Sequence, residues 1–126
     1  MILLDTSVLV DALTGSRRSA ALLRRTIESG ERVVLTTLVL YEWQRGPRRL
    51  VELAAQEALW PSDAAIVFGA EEAATAAALY RSVRAPRGRV LDFAIAACAI
   101  RWSAALWTLN TRDFRDVPGL DLFDPE

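Results

Sequence analysis

The sequence predicts an α/β fold in which a central, mainly parallel sheet of four or five strands is covered by helices on both faces. Two observations carry this. Short apolar runs without alternation, at residues 2–4, 33–35 and 105–109, fit strands buried on both sides, as parallel strands are. Stretches of helical periodicity separate these runs along the chain, and that order of elements favours parallel strands joined by crossover helices.

Residues 2–4 form a strand that stops at Asp5. Thr6 and Ser7 suit the start of a helix carrying Val8, Leu9 and Leu13, broken by Gly15 and Ser16. Residues 19–29 resume helical spacing through Ala20, Leu23 and Ile27, with Gly30 as the stop. The strand at 33–35 leads through Thr36 and Thr37 into LVLYEWQRG, a helix bearing Glu42 and ended by Gly46 and Pro47. Residues 47–59 are helical again on Leu50, Leu53, Ala54 and Ala58, until Pro61.

Residues 65–68 are a further strand candidate. Gly69 then opens a helix over residues 70–83, with Glu71 and Glu72 in the first turn where the helix dipole favours them. The segment RSVRAPRGR reads as a basic loop carrying Arg81, Arg84, Arg87 and Arg89 around Pro86 and Gly88. A helix opened by Asp92 runs to Trp102, and strands follow at 105–109 and 120–123. No linker, repeat or low-complexity segment divides the 126 residues, so a single domain over 1–126 is expected.

Composition narrows the chemistry. An apolar fraction of 52% beside 25% charged residues is that of a folded chain rather than a disordered one. The net charge of -1 excludes a protein that coats nucleic acid by bulk positive charge, so any such partner must meet local arginine patches. There is no histidine and no lysine. That removes Ser-His-Asp and Cys-His catalysis, Schiff-base chemistry, histidine-assisted RNA cleavage and histidine-containing zinc sites. Acid–base work therefore falls to carboxylates or to metal-activated water.

The single cysteine, Cys98, lies inside an apolar run and reads as a small core residue, with no disulfide possible within one chain. The segment MILLDTSVLVDAL is interrupted by Asp5 and Asp11 and lacks a basic leader, so it does not read as a signal peptide. No apolar run approaches the ~20 residues that span a bilayer. A cytoplasmic protein without membrane contact is expected.

Four acids stand out by position. Asp92 precedes the wholly apolar run from Phe93 to Ile100, and Asp113 follows ALWTL closely. Burying an ionised carboxylate costs several kcal/mol unless a partner or a metal compensates it. Asp5 ends the first strand, and Glu42 has the longer side chain needed to reach back from the helix after the second. Ligands of α/β sheets sit beyond the carboxyl ends of the strands, and all four acids fall at that rim. Acids ~6 Å apart repel by roughly 3 kcal/mol per pair at an effective dielectric near 20. Oxygen donors without sulfur or imidazole select Mg²⁺ or Mn²⁺. Such a site suits hydrolysis of a phosphodiester, leaving 5′-phosphate and 3′-hydroxyl ends.

Other α/β sites with an Asp after the first strand fit less well. A haloacid dehalogenase-type phosphatase wants a second Asp where Ser7 stands, and it and a response-regulator receiver both require a lysine. Neither GxxxxGK nor GxGxxG occurs.

Asp5-Thr-Ser after an apolar strand, Tyr41-Glu42 with Gly46 four residues on, Asp92 before Ile95-Ala96-Ala97, and Thr108-Leu-Asn110-Thr-Arg-Asp113-Phe114 together resemble the PIN domain, specifically VapC-type toxins of toxin–antitoxin pairs. The resemblance spans essentially the whole chain. It implies a compact three-layer fold, a metal-dependent endoribonuclease, a homodimer and a cognate antitoxin that blocks the site. It also implies that Asp5, Glu42, Asp92 and Asp113 hold Mg²⁺ or Mn²⁺, with Asn110 supporting them, although Asn110 reads equally well as a turn residue. The competing reading is a PIN-like module that binds RNA or protein without catalysis.

Thr6 and Ser7 fit either helix caps or residues supporting the acids. Asp11, Asp63, Asp116, Asp121 and Asp124 read as surface or turn acids. Among the four tryptophans, core or dimer packing is the expected use, and Trp43 is the best placed to stack on a base. Residues 81–89 are the first choice for phosphate contacts.

Overall fold

Every side chain of the first strand is buried, and this strand lies in the interior of the sheet with a parallel neighbour on each side. A computed structural model describes residues 1–126. Its elements run β1 (Ile2–Leu4), α1 (Thr6–Leu13), α2 (Ala20–Glu28), β2 (Val33–Val34), α3 (Thr37–Arg45), α4 (Leu50–Leu59), α5 (Ala70–Ser82), α6 (Val90–Arg101), β3 (Ala105–Trp107) and β4 (Asp121–Leu122). Short 3-10 turns occupy Ser62–Ala64 and Thr111–Asp113.

The sheet has four strands, all parallel, in the order β2-β1-β3-β4. Leu3 pairs with Val34 on one side and Leu106 on the other. From β1 the chain crosses to β2, then returns past β1 to β3. The strand order thus reverses between β1 and β3, which places a crevice beyond their carboxyl ends. Asp5 N–H continues that ladder to the Trp107 carbonyl at 2.9 Å.

The expected strand at 65–68 is reduced to one parallel bridge, Thr36 to Ile66. Ile66 N–H donates to the Leu35 carbonyl, and Thr37 N–H donates to the Ile66 carbonyl. The chain leaves the sheet there because Thr36 caps α3, accepting from Val39 N–H at 3.2 Å.

The helix α6 is buried from Phe93 through Ala99, which explains its apolar character on every side. Its alanines let α5 lie close along it, with Tyr80 meeting the Phe93 ring edge-on at 6.3 Å. Phe93 and Ile95 each contribute about 1.5–3 kcal/mol by leaving water. Together with β1, Trp43, Leu106 and Trp107 they belong to a 23-residue core.

The helix α4 departs from the expected pattern except at Leu53, which packs against the core. Leu50 is 85% exposed and Val51 and Leu59 face solvent, whereas Glu52 and Gln56 are buried. Polar bonding decides this. Glu52 accepts from Arg49 N–H at 2.8 Å, closing the helix start, and Gln56 donates to the Trp60 carbonyl at 2.9 Å. Arg81 lies in the last turn of α5, within the span expected to be helical, so the basic loop proper begins after Ser82.

Candidate active site

The carboxylate of Asp5 is buried directly after β1. Although Asp5 holds the N-cap position of α1, its side chain makes no capping bond. Its Oδ2 instead accepts from Ser7 Oγ at 2.8 Å and from Thr108 Oγ1 at 2.7 Å. Those hydroxyls are oriented in turn: Ser7 Oγ accepts from Leu109 N–H and Thr108 Oγ1 from Asn110 N–H, both at 3.0 Å. The segment after β3 is thereby fastened to the start of α1.

Glu42 lies on the second turn of α3. Its Oε1 accepts from Thr6 Oγ1 at 2.7 Å, and its Oε2 lies 3.7 Å from Arg45 Nη2. Thr6 and Ser7 therefore spend their hydroxyls on two of the four acids rather than on capping.

Asp92 is the third residue of α6 and half-buried. Its carboxyl is pushed up to about 6, chiefly by burial and then by the charges of Asp5, Asp113 and Glu42, with Arg89 opposing. Each of the other three acids thus lies near enough to burden its ionisation.

Asp5, Thr6, Ser7, Glu42, Asp92 and Asn110 line one cleft of about 520 Å³. Asp113 is exposed in its 3-10 turn and flanks this cleft without lining it. Asn110 seats Asp113 through the main chain, its carbonyl accepting from Asp113 N–H at 2.9 Å.

No three acids converge as a ready-made metal cage. Mg²⁺ does not require one, because it is usually held by one or two carboxylates with water and substrate oxygens in the remaining positions. The polar side chains of the cleft offer oxygen donors and no sulfur or imidazole, which fits Mg²⁺ or Mn²⁺. The crowded negative charge recorded by Asp92 is what such a cation would relieve.

Two readings of individual residues need correction, those of Trp43 and Asp11. Trp43 is fully buried, with the Arg48 guanidinium 4.4 Å from its ring centroid, so it cannot stack on a base. Asp11, read as a surface acid, lines the cleft, pairs with Arg18 at 3.4 Å and accepts from Ser19 Oγ. Its signal was present, since Ser7, Val10, Asp11 and Thr14 recur at helical spacing on one face. Asp116 is exposed, as expected of a surface acid, and is joined to Arg89 at 2.5 Å. Arg89 is therefore committed within the protein, leaving Arg84 and Arg87 as the exposed arginines of the basic loop.

Comparison with known proteins agrees with this geometry. The PIN domain family model matches residues 2–120. The chain is 35% identical over 122 residues to Ribonuclease VapC19 of Mycobacterium tuberculosis, in strains CDC 1551 / Oshkosh and ATCC 25618 / H37Rv, covering 95% of this chain and 97% of that protein. Among solved structures, DNA-bound VapBC from Salmonella typhimurium superposes with a TM-score of 0.82 at 19% identity, covering 99% of this chain and 98% of that one. VapBC2 from Rickettsia felis, bound to a DNA fragment from its promoter, gives 0.77 at 22% identity, with 98% of each chain covered. The last two likenesses are of fold, whereas the family match and the full-length relative place this protein by sequence: the chain belongs to the PIN domain family, in its VapC group.

Proposed function

We propose that the chain is a Mg²⁺- or Mn²⁺-dependent endoribonuclease acting as the toxin of a toxin–antitoxin pair. The observation that carries this reading is the cleft at the carboxyl rim of a parallel sheet that Asp5, Glu42 and Asp92 line together, with Asp113 on the turn beside it. Kinship with a protein named as a ribonuclease supplies the substrate class.

In this reading Asp5, Glu42, Asp92 and Asp113 hold the cation. Ser7 and Thr108 fix the Asp5 carboxylate, Thr6 fixes that of Glu42, and Asn110 seats Asp113. When bound, the cation supplies positive charge for the phosphodiester and lowers the pKa of the attacking water. The exposed arginines Arg84 and Arg87 are assigned to RNA phosphates.

A protein antitoxin is the proposed partner. Its support is the complexes in which related folds were solved and an apolar groove of about 460 Å³ between α2 and α4. Exposed Ile27, Val51 and Leu59 line that groove. A homodimer is proposed from the family resemblance and is tested by light scattering of the purified chain. No helix is long and apolar enough to cross a membrane, and a cytoplasmic location accords with the proposed RNA substrate.

The test is incubation of the antitoxin-free chain with total cellular RNA and Mg²⁺ or Mn²⁺, beside Asp92→Asn and a chelator control. New 5′-phosphate ends that vanish in both controls are expected. Metal binding without cleavage of any RNA would favour the non-catalytic module, and cutting that survives the chelator would overturn the metal assignment.

A further inference from the structure

Arg89 is the residue before α6 and lies three positions ahead of Asp92. Its guanidinium is almost entirely spoken for. Nη1 donates to Asp116 Oδ2 at 3.0 Å and more weakly to the Arg84 carbonyl at 3.5 Å. Nη2 donates to Asp116 Oδ1 at 2.5 Å and to the Asp113 carbonyl at 2.8 Å. One face of the group lies over the Phe93 ring, 4.8 Å from its centroid. The remaining Nε is buried without a partner, and the side chain is 17% exposed. No accessible N–H is left for a phosphate unless the clamp opens, because the unpaired Nε is buried.

The clamp spans three elements. Asp116 and the Asp113 carbonyl belong to the turn after β3, the Arg84 carbonyl belongs to the basic loop, and Arg89 itself leads into α6. Its own carbonyl accepts from Phe93 N–H at 3.0 Å, closing the first helical turn that displays Asp92. Asp92 thus hangs from the backbone of Arg89, and Asp113 from its guanidinium. A planar fork satisfied by both oxygens of one carboxylate has a defined direction, which a single ammonium would not reproduce.

We propose that Arg89, braced by Asp116, is a positioning residue that sets the separation of Asp92 and Asp113 and so tunes cation affinity, rather than contacting RNA. This rests on the reading of those two acids as metal ligands. Asp116 anchors the guanidinium and also keeps its charge from swinging onto the acids it positions. The loop arginines that remain exposed, Arg84 and Arg87, take the RNA-facing role instead.

The test measures Mn²⁺ binding to the purified full chain without RNA, then kcat and KM for RNA cleavage, in Arg89→Lys, Asp116→Asn, Arg87→Ala and Asp92→Asn. Measurements are made at a temperature where circular dichroism shows each variant folded. Arg89→Lys and Asp116→Asn are each expected to weaken Mn²⁺ binding about ten- to hundredfold, the usual effect of removing a group that orients metal ligands. They should lower kcat at saturating RNA and leave KM unchanged, whereas Arg87→Ala should raise KM alone. Asp116 is half-exposed, so Asp116→Asn carries the test if Arg89→Lys fails to fold.

Unchanged Mn²⁺ affinity with only a lower melting temperature would make the clamp structural and overturn the proposal. A raised KM with unchanged kcat would make Arg89 an RNA contact and overturn it equally. Loss of Mn²⁺ binding in Asp92→Asn, with full binding in both clamp variants, would sink this inference alone. Full binding in Asp92→Asn would sink the metal-ligand reading and this inference together.

Discussion

The Thr108 hydroxyl donates a 2.7 Å hydrogen bond to Asp5 Oδ2 across 103 residues of sequence. It joins the carboxyl ends of β1 and β3 at the point where strand order reverses. The same oxygen accepts from Ser7, so two hydroxyls hold one carboxylate in a single orientation. Thr108→Val keeps the shape of the side chain and removes the donor. Metal-supported cleavage should fall about ten- to hundredfold in this variant. Ser7→Ala, which likewise leaves one of the two donors on that oxygen, should show a comparable loss. Wild-type rates in Thr108→Val would remove that hydroxyl from the site.

The elevated Asp92 carboxyl makes metal-free stability depend on pH. Its folded value of about 6 exceeds the ordinary 3.8, mainly through burial. Between those values an unfolded chain has released the proton while the folded chain still binds it. Stability from this group is therefore complete below about pH 4 and is lost as pH rises through about 6, by at most about 3 kcal/mol. Asp92→Asn removes the penalty. In chelator at pH 7.5 it should melt higher than wild type, by about 1–2 kcal/mol of stability once solvent screening is allowed for, and the gap should close near pH 3.5. A gap that does not change with pH would contradict the assigned cause.

Burial and the nearby Glu72 push the Cys98 thiol up to about 11. A thiol that is neither accessible nor ionised is a poor nucleophile. The native chain should resist maleimide labelling and react fully only after denaturation. Rapid labelling of the folded chain would place Cys98 outside the core.

The outward apolar face of α4 gives a prediction that separates binding from chemistry. Val51 and Leu59 are exposed, so Val51→Asp and Leu59→Asp should cost under about 0.5 kcal/mol each. RNA cleavage by the isolated chain should be unaffected. Inhibition by the cognate antitoxin should need far more antitoxin if the α2–α4 groove is its seat. Unaltered inhibition would move the antitoxin elsewhere.

How far the sequence could be read depended on the range of the interaction concerned. Asp5, Glu42 and Asp92 could be placed at one rim because each is tied to a local event: the end of a strand, the early turns of a helix, the start of an apolar run. The inversion of α4 could not be read, because periodicity counts apolar positions and not the hydrogen bonds that draw Glu52 and Gln56 inward. Trp43 is the tryptophan best placed by sequence to stack on a base, yet its position on α3 turns the side chain into the core. The Arg89–Asp116 clamp joins residues 27 apart, with no local signal to pair them. The segment at 65–68 has strand-like composition, but only Ile66 meets the sheet.

The proposed four-carboxylate site is tested most directly by Mn²⁺-supported RNA cleavage in Asp5→Asn, Glu42→Gln, Asp92→Asn and Asp113→Asn. Asp63→Asn and Asp121→Asn, exposed acids away from the cleft, serve as comparisons. Each rim variant should remain folded and lose about a hundredfold or more in rate, the scale of losing charge stabilisation at a reacting centre. Both comparison variants should cut as wild type does. A rim variant that retained the wild-type rate would contradict the four-acid site, Asp113 being the sharpest case because it flanks the cleft without lining it.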